Sequence, residues 1–267
     1  MEGITGIVHW NQVNPDHPEY VRFRKLMTGD INAAIRGAFA GGATSIHVKD
    51  GHNDDRNVLI EELDPRATLI SGTPSRLSMV ESVDQGIDGV MFIGYHCRMG
   101  AQNAILDHTW SDERVSGLWI NGRAFGESGL NGAVCGHFNV PVIMASGDQT
   151  LCAEVKEFFG NEIETAQVKK AISRMSADCL PPPTVTSKLI EDAAARAVQR
   201  LKRQKAPKPF KVNAPIKMEI EFIQSEMADN AAIMPGAQRA KDRYVTYTAS
   251  DMITIYQAFR TLLALAR

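Results

Sequence analysis

Five side chains in the first half of the chain are of types that bind metal or carry protons: Asp50, His52, His96, His108 and Glu127. All five stand in polar stretches beside apolar ones, and no surrounding run of charge explains them as a solvated face. Each one alone reads most simply as a hydrogen-bonded structural group. Together they say more. Imidazole nitrogen with carboxylate oxygen is the donor set of catalytic zinc, and without thiolates it fits a hydrolytic centre better than a structural one. No compact motif such as H-E-x-x-H occurs, so the fold has to bring these groups together.

The elements that must do so can be read from apolar spacing. Residues 20–39 place Val21, Leu26, Met27, Ile31, Ile35 and Phe39 at helical intervals, and Gly41-Gly42 stops the helix. Ser45 to Lys49 predicts a short strand running into Asp50-Gly51-His52, and Val90 to Ile93 a buried strand running into Tyr95 and His96. Asn121-Gly122 supplies a type I′ hairpin turn, with Glu127 in the loop just beyond. Pro141 to Ala145 is another apolar strand, followed by a helix near Leu151 to Phe159 that Gly160 closes. This alternation predicts an α/β fold of three layers, α/β/α, around a mostly parallel sheet. Ligands of such sheets sit beyond the carboxyl ends of the strands, the edge to which Asp50, His52, His96 and Glu127 are expected to belong.

After Glu164 the texture changes. Helical segments are expected around Gln167 to Met175 and Val185 to Lys202, then a Pro/Lys-rich stretch, Lys205 to Pro215. Ile216 to Phe222 alternates as a half-exposed strand, Arg243 to Thr248 resembles its partner, and Ser250 is placed to cap a last amphipathic helix. The predicted organisation is an α/β catalytic domain over 1–165 and a smaller α+β region over 166–267.

Composition narrows the function classes. With 29 basic and 31 acidic residues, the net charge of −2 gives no excess for neutralising nucleic-acid phosphates. The densest basic stretch, Arg200 to Lys211, contains prolines and reads as a solvated helix end and linker. Neither a bilayer-spanning apolar run nor a secretory signal is visible, so a cytoplasmic location without a membrane partner is expected. Cys97, Cys135, Cys152 and Cys179 form no C-x-x-C pair and are expected as reduced thiols. His9, His17, His47 and His137 carry no assigned role, and Met79, Met91 and Met144 fit as core filler.

Several ordered blocks carry a resemblance. They are Met1-Glu-Gly-Ile-Thr-Gly6, Val48-Lys-Asp-Gly-His52, Leu69-Ile-Ser-Gly72, Phe92-Ile-Gly-Tyr-His96, Gly126-Glu127-Ser-Gly-Leu-Asn131, Asn139-Val-Pro-Val142, Val168 to Arg174 and Met234-Pro-Gly236. The chain resembles, over nearly its whole length, the zinc-dependent D-aminopeptidases of bacterial dipeptide-transport operons, peptidase family M55. The resemblance implies a dizinc site whose ligands here are Glu2, His52, His96 and Glu127, with His108 in the position of the family's catalytic histidine. Asp50, Tyr95 and Asn131 become candidates for supporting the ligands or touching substrate. It also implies hydrolysis of short peptides from a D-residue amino end, such as D-Ala-D-Ala, by a homo-oligomer, a decamer of stacked pentamers. The family's fifth ligand, an Asp, would stand immediately before Met1, with its strand before that; the expectation is a start at an internal Met, a lost bridging carboxylate and impaired activity. Two alternatives use the same residues: a zinc amidohydrolase of a non-peptide or cyclic amide, and an impaired homologue that binds metal or peptide without turnover.

Overall fold

The helix read in residues 20–39 forms as α1 (Tyr20–Gly41), and Gly42 ends it in the left-handed region at φ 99°. The computed structural model describes residues 1–178 and 182–267; Cys179 lies outside them. After α1 come β1 (His47–Lys49), β2 (Thr68–Ile70), β3 (Val90–Phe92), β4 (Val115–Ile120), β5 (Arg123–Ala124), α2 (Glu127–His137), β6 (Val142–Asp148), α3 (Gln149–Phe159) and β7 (Glu164–Ser173). The remainder is β8 (Ser176–Asp178), α4 (Pro183–Lys202), β9 (Ile216–Phe222), α5 (Ser225–Ala231), β10 (Gln238–Lys241), β11 (Tyr244–Ala249) and α6 (Met252–Leu265).

Parallel pairing joins β1 to β2, β3 to β6 and β6 to β7. The expected α/β layering follows from which side chains each strand face buries. Ile143, Met144, Ala166 and Val168 pack under Ala33, Ala34 and Ala38 of α1 and Ile190, Ala193 and Ala197 of α4. Phe92, Val142 and Ala145 face the other way, onto Val134 of α2 and Val155 and Phe159 of α3. The parallel strands fall in two sheets rather than one: β1-β2, and β3-β6-β7 with β8 added antiparallel at its edge.

A five-stranded antiparallel sheet, in the order β10-β11-β9-β4-β5, makes the second half of the core. Val115, Leu118, Ile120, Met218, Ile220 and Phe222 meet Ile255, Phe259 and Leu262 of α6 there. Asn121 and Gly122 turn β4 into β5 with φ of 50° and 79°, both positive as a type I′ turn requires. Hydrogen bonding crosses residue 165 in both directions, since β7 joins β6 while β4 joins β9.

Three local expectations are corrected. The helix expected over Gln167 to Met175 is the strand β7, in which Val168 and Lys169 are buried side by side at a register shift against Gly147 and Asp148. That shift breaks the alternation by which a strand is recognised, and buried 166, 168, 169 and 171 mimic a helical interval. The last helix is capped by Asp251 rather than Ser250, the Asp251 carboxylate accepting from the Thr254 amide at 2.9 Å. Glu127 is the first residue of α2, not a loop residue. Gly129, Gly132 and Gly136, which let Phe158, Phe159 and the Phe210 backbone approach, lower that segment's apparent helix propensity.

Candidate metal centre

The centre is assembled from four chain segments. Residues 1–7 form a loop docked on the end of β3, where Gly3 N–H donates to the Gly94 carbonyl at 3.0 Å. A Cβ on Gly3 would stand 1.7 Å from the Tyr95 carbonyl oxygen, so only glycine permits this approach. The loop delivers Glu2, buried, with Oε1 3.3 Å from His52 Nδ1 and Oε2 2.9 Å from the Met1 amine. Burial pushes the Glu2 carboxyl up, but the Met1 amine and then His52 outweigh it and hold it well below the usual carboxylate range.

His52 leaves β1 on a turn that Asp50 organises. The Asp50 carboxylate accepts from the amides of Asn57 (2.5 Å), Val58 (2.7 Å) and His52 (3.3 Å) and from Asn57 Nδ2 (2.8 Å). These four bonds make Asp50 the cap of the 50–58 loop. Beneath it Lys49 Nζ and Asp55 Oδ2 form a buried ion pair at 2.6 Å.

His96 follows β3, and its Nε2 lies 3.3 Å from Glu127 Oε1. His108 stacks on His96 with ring centroids 3.8 Å apart and sets its own Nε2 3.6 Å from the same oxygen. One ligand atom from each of His96, His108 and Glu127 can be chosen so that all lie within 4.8 Å of one another. Burial works against a charged imidazole at His96, but the Glu127 carboxylate overrides it and raises the proton affinity of the ring. Burial likewise raises Glu127, and His96 more than reverses it. His108 is lowered, first by burial and then by the neighbouring His96 charge, and is neutral near pH 7.

The residues present fit a divalent cation, and the donor chemistry shows why. Each of the three imidazoles has one nitrogen tied to a main-chain carbonyl: His52 Nε2 to Val13 O at 2.9 Å, His96 Nδ1 to Cys97 O at 3.0 Å, His108 Nδ1 to Leu106 O at 2.7 Å. A divalent cation between the opposite nitrogen and the carboxylate it faces would take the place of a proton there, with a lone pair of the ring on one side and a carboxylate oxygen on the other. Metal-ligating histidines are oriented in this way. Glu127 is fixed similarly, its Oε1 accepting from the Trp110 amide at 2.8 Å. Leu106 and Trp110, which hold His108 and Glu127, sit at φ 49° and 67°, a backbone conformation rare for bulky residues and concentrated at functional sites.

Tyr95 and Asn131 lie behind this group. Asn131 Nδ2 donates to the Tyr95 hydroxyl at 3.1 Å, and Asn131 Oδ1 is buried without a hydrogen-bond partner among the described residues. Sequence reasoning missed Trp10, whose ring meets His108 edge-on at 5.4 Å, and it missed Asp30 and Lys169. A charge on the apolar face of α1 and a lysine within an apolar strand were the available signals for the last two.

A family profile described as D-aminopeptidase, Peptidase M55, matches residues 1–261. The chain belongs to peptidase family M55. Members of this family are hydrolases acting on peptide bonds, and this chain is one of them. A D-aminopeptidase of Bacillus subtilis (strain 168) is 36% identical over 267 residues, which are 100% of this chain and 95% of the relative. A solved structure described as the Zn-dependent D-aminopeptidase DppA from Bacillus subtilis, a self-compartmentalizing protease, superposes with a TM-score of 0.94 at 35% identity. That match covers 100% of this chain and 95% of the other.

Proposed function

We propose that this M55 peptidase removes D-residues from the amino end of short peptides such as D-Ala-D-Ala, with two zinc ions held among Glu2, His52, His96 and Glu127. The observation that carries the reading is that each of three imidazoles has one nitrogen at a main-chain carbonyl and the other turned to a carboxylate, His52 to Glu2 and His96 and His108 to Glu127. The names of the two relatives support zinc and the D-amino-acid preference. Zinc bound there would supply Lewis acidity, bringing the pKa of a water towards neutrality and polarising the scissile carbonyl.

The chain's own groups do the rest. His108 is not needed as a ligand if the other four residues hold the metal; its neutral Nε2 is free to take a proton from the attacking water and return it to the leaving amine. Tyr95 and Asn131 are the substrate contacts of this reading, Asn131 Oδ1 offering an unused buried acceptor to a peptide N–H or an amino terminus. Asp50 holds the His52 loop and takes no part in coordination. Residues 166–267 serve assembly and completion of the site, and the working form is a homo-oligomer in the cytoplasm. The self-compartmentalizing character printed for the DppA relative supports the oligomer. Among the described residues no helix is long and apolar enough to cross a membrane.

Metal analysis together with turnover of D-Ala-D-Ala, L-Ala-L-Ala and small lactams tests the proposal. The expected result is zinc in the purified protein and selective cleavage of the D,D-dipeptide. Turnover of lactams alone would replace it with the amidohydrolase reading, and full metal loading without hydrolysis of any dipeptide with the binding-protein reading.

A further inference from the structure

Lys169 is a lysine where a buried strand should carry an apolar side chain, and it is 2% exposed. Its Nζ donates to three carbonyls of a single loop: Glu2 at 2.6 Å, Ile4 at 2.9 Å and Ile7 at 2.8 Å. An ammonium has three N–H donors, and a buried one is tolerated only where such partners are supplied. The donors of the same loop are held from the other side. Asp30 on α1 accepts from the Thr5 amide at 2.8 Å and the Thr5 hydroxyl at 3.0 Å, and Thr5 Oγ1 also bonds Thr186 Oγ1 at 2.9 Å. A cation from β7 therefore grips the loop by its carbonyls and an anion from α1 grips it by its N–H and O–H groups.

The consequence falls on Glu2. The Glu2–Gly3 peptide is held at its carbonyl by Lys169 and at its N–H by the Gly94 carbonyl, the Met1–Glu2 peptide is held by the Ile4 amide donating to the Met1 carbonyl at 3.1 Å, and the side chain between those two planes reaches His52. With both flanking peptide planes immobilised, the direction in which the Glu2 side chain leaves the backbone is set before any ligand arrives. We propose that Lys169, opposed by Asp30 through Thr5, is a positioning residue for metal binding: it preorganises the Glu2 loop so that the Glu2 carboxylate meets His52 and the His96–Glu127 group in one place. This rests on the reading of Glu2 and His52 as metal ligands. Supporting groups behind a first ligand set alter metal affinity about 10- to 100-fold when removed, because the ligands must then be ordered by the ion itself.

Cobalt(II) titrated into the metal-free protein reads the effect, through its visible ligand-field bands and its affinity. The variants are Lys169→Met, which keeps an unbranched side chain one atom shorter and loses the charge, and Thr5→Ala, which removes one hydroxyl while keeping the Thr5 amide bond to Asp30. Lys169→Met is expected to bind Co2+ about 10- to 100-fold more weakly than the unaltered chain, and Thr5→Ala several-fold more weakly, each with displaced bands. Circular dichroism melting of the metal-free proteins shows whether each is folded; if Lys169→Met is not, Thr5→Ala alone decides. Affinity and band positions within about twofold of the unaltered chain, in Thr5→Ala and in a folded Lys169→Met, would mean that the clamp only stabilises the fold, and would overturn the proposal. An unaltered chain that binds no Co2+ would remove the metal-site reading itself, a result distinguishable from failure of the clamp.

Discussion

His96 and His108 face the same Glu127 oxygen, but in the proposed function only His96 is a ligand and His108 carries the proton. His108→Gln is expected to lower kcat by about 10²- to 10⁴-fold with metal content unchanged, because proton transfer contributes on that scale and the other four residues retain the ion. Metal analysis beside steady-state kinetics checks this; loss of metal from the variant would make His108 a ligand instead. Asp30 makes a different prediction at the same scale. Burial raises its carboxyl from 3.8 to about 6, against the pull of the Thr5 hydrogen bonds and of Lys169, the charged group that faces it. A raised carboxyl stabilises the fold while it is neutral, so this contribution is complete below about pH 4 and is lost as pH rises through about 6. A shift of about two pH units corresponds to roughly 3 kcal/mol. Asp30→Asn should flatten the urea-unfolding stability profile between about pH 4 and pH 6 by that order; an unchanged profile would show that Asp30 does not titrate there.

Between elements, the tight contacts are where backbone meets backbone. Gly3→Ala puts a methyl 1.7 Å from the Tyr95 carbonyl, which neither chain can yield without undocking the Glu2 loop. We expect a loss of about 3 kcal/mol or more in denaturant unfolding, and with it metal binding. Gly122→Ala has open space around it and only an unfavourable φ of 79°, so about 1 kcal/mol and unaltered turnover are expected. Equal effects from the two would contradict the packing argument. The same contrast explains what could be read beforehand. His52 and His96 were legible because short apolar strands end on them, and the Asn121-Gly122 turn because only such residues accept its dihedrals. The helical position of Glu127 was not, since α2 is rich in glycines chosen for close packing. The Lys169 clamp was not either: its partners are carbonyls far along the chain, which carry no side-chain signature, and the irregular register of β7 hides the strand that delivers it.

For the molecule as a whole, the homo-oligomer of the proposed function would cover some of the exposed apolar side chains. Ile172 and Met175 near the end of β7, and Val185 and Leu189 in the first turns of α4, are between 42% and 58% exposed. Sedimentation velocity at micromolar concentration should find an oligomer, and Met175→Glu combined with Leu189→Glu should shift it towards smaller species. A monomeric unaltered chain would remove the assembly from the proposed function. The three imidazoles are aligned by the carbonyls of Val13, Cys97 and Leu106, and a carbonyl is common to every residue type. Substitution at those three positions cannot delete an acceptor, whereas a one-residue insertion or deletion in any of these loops displaces it. The alignment of the imidazoles is therefore buffered against substitution at the residues that supply those carbonyls and exposed to changes in loop length.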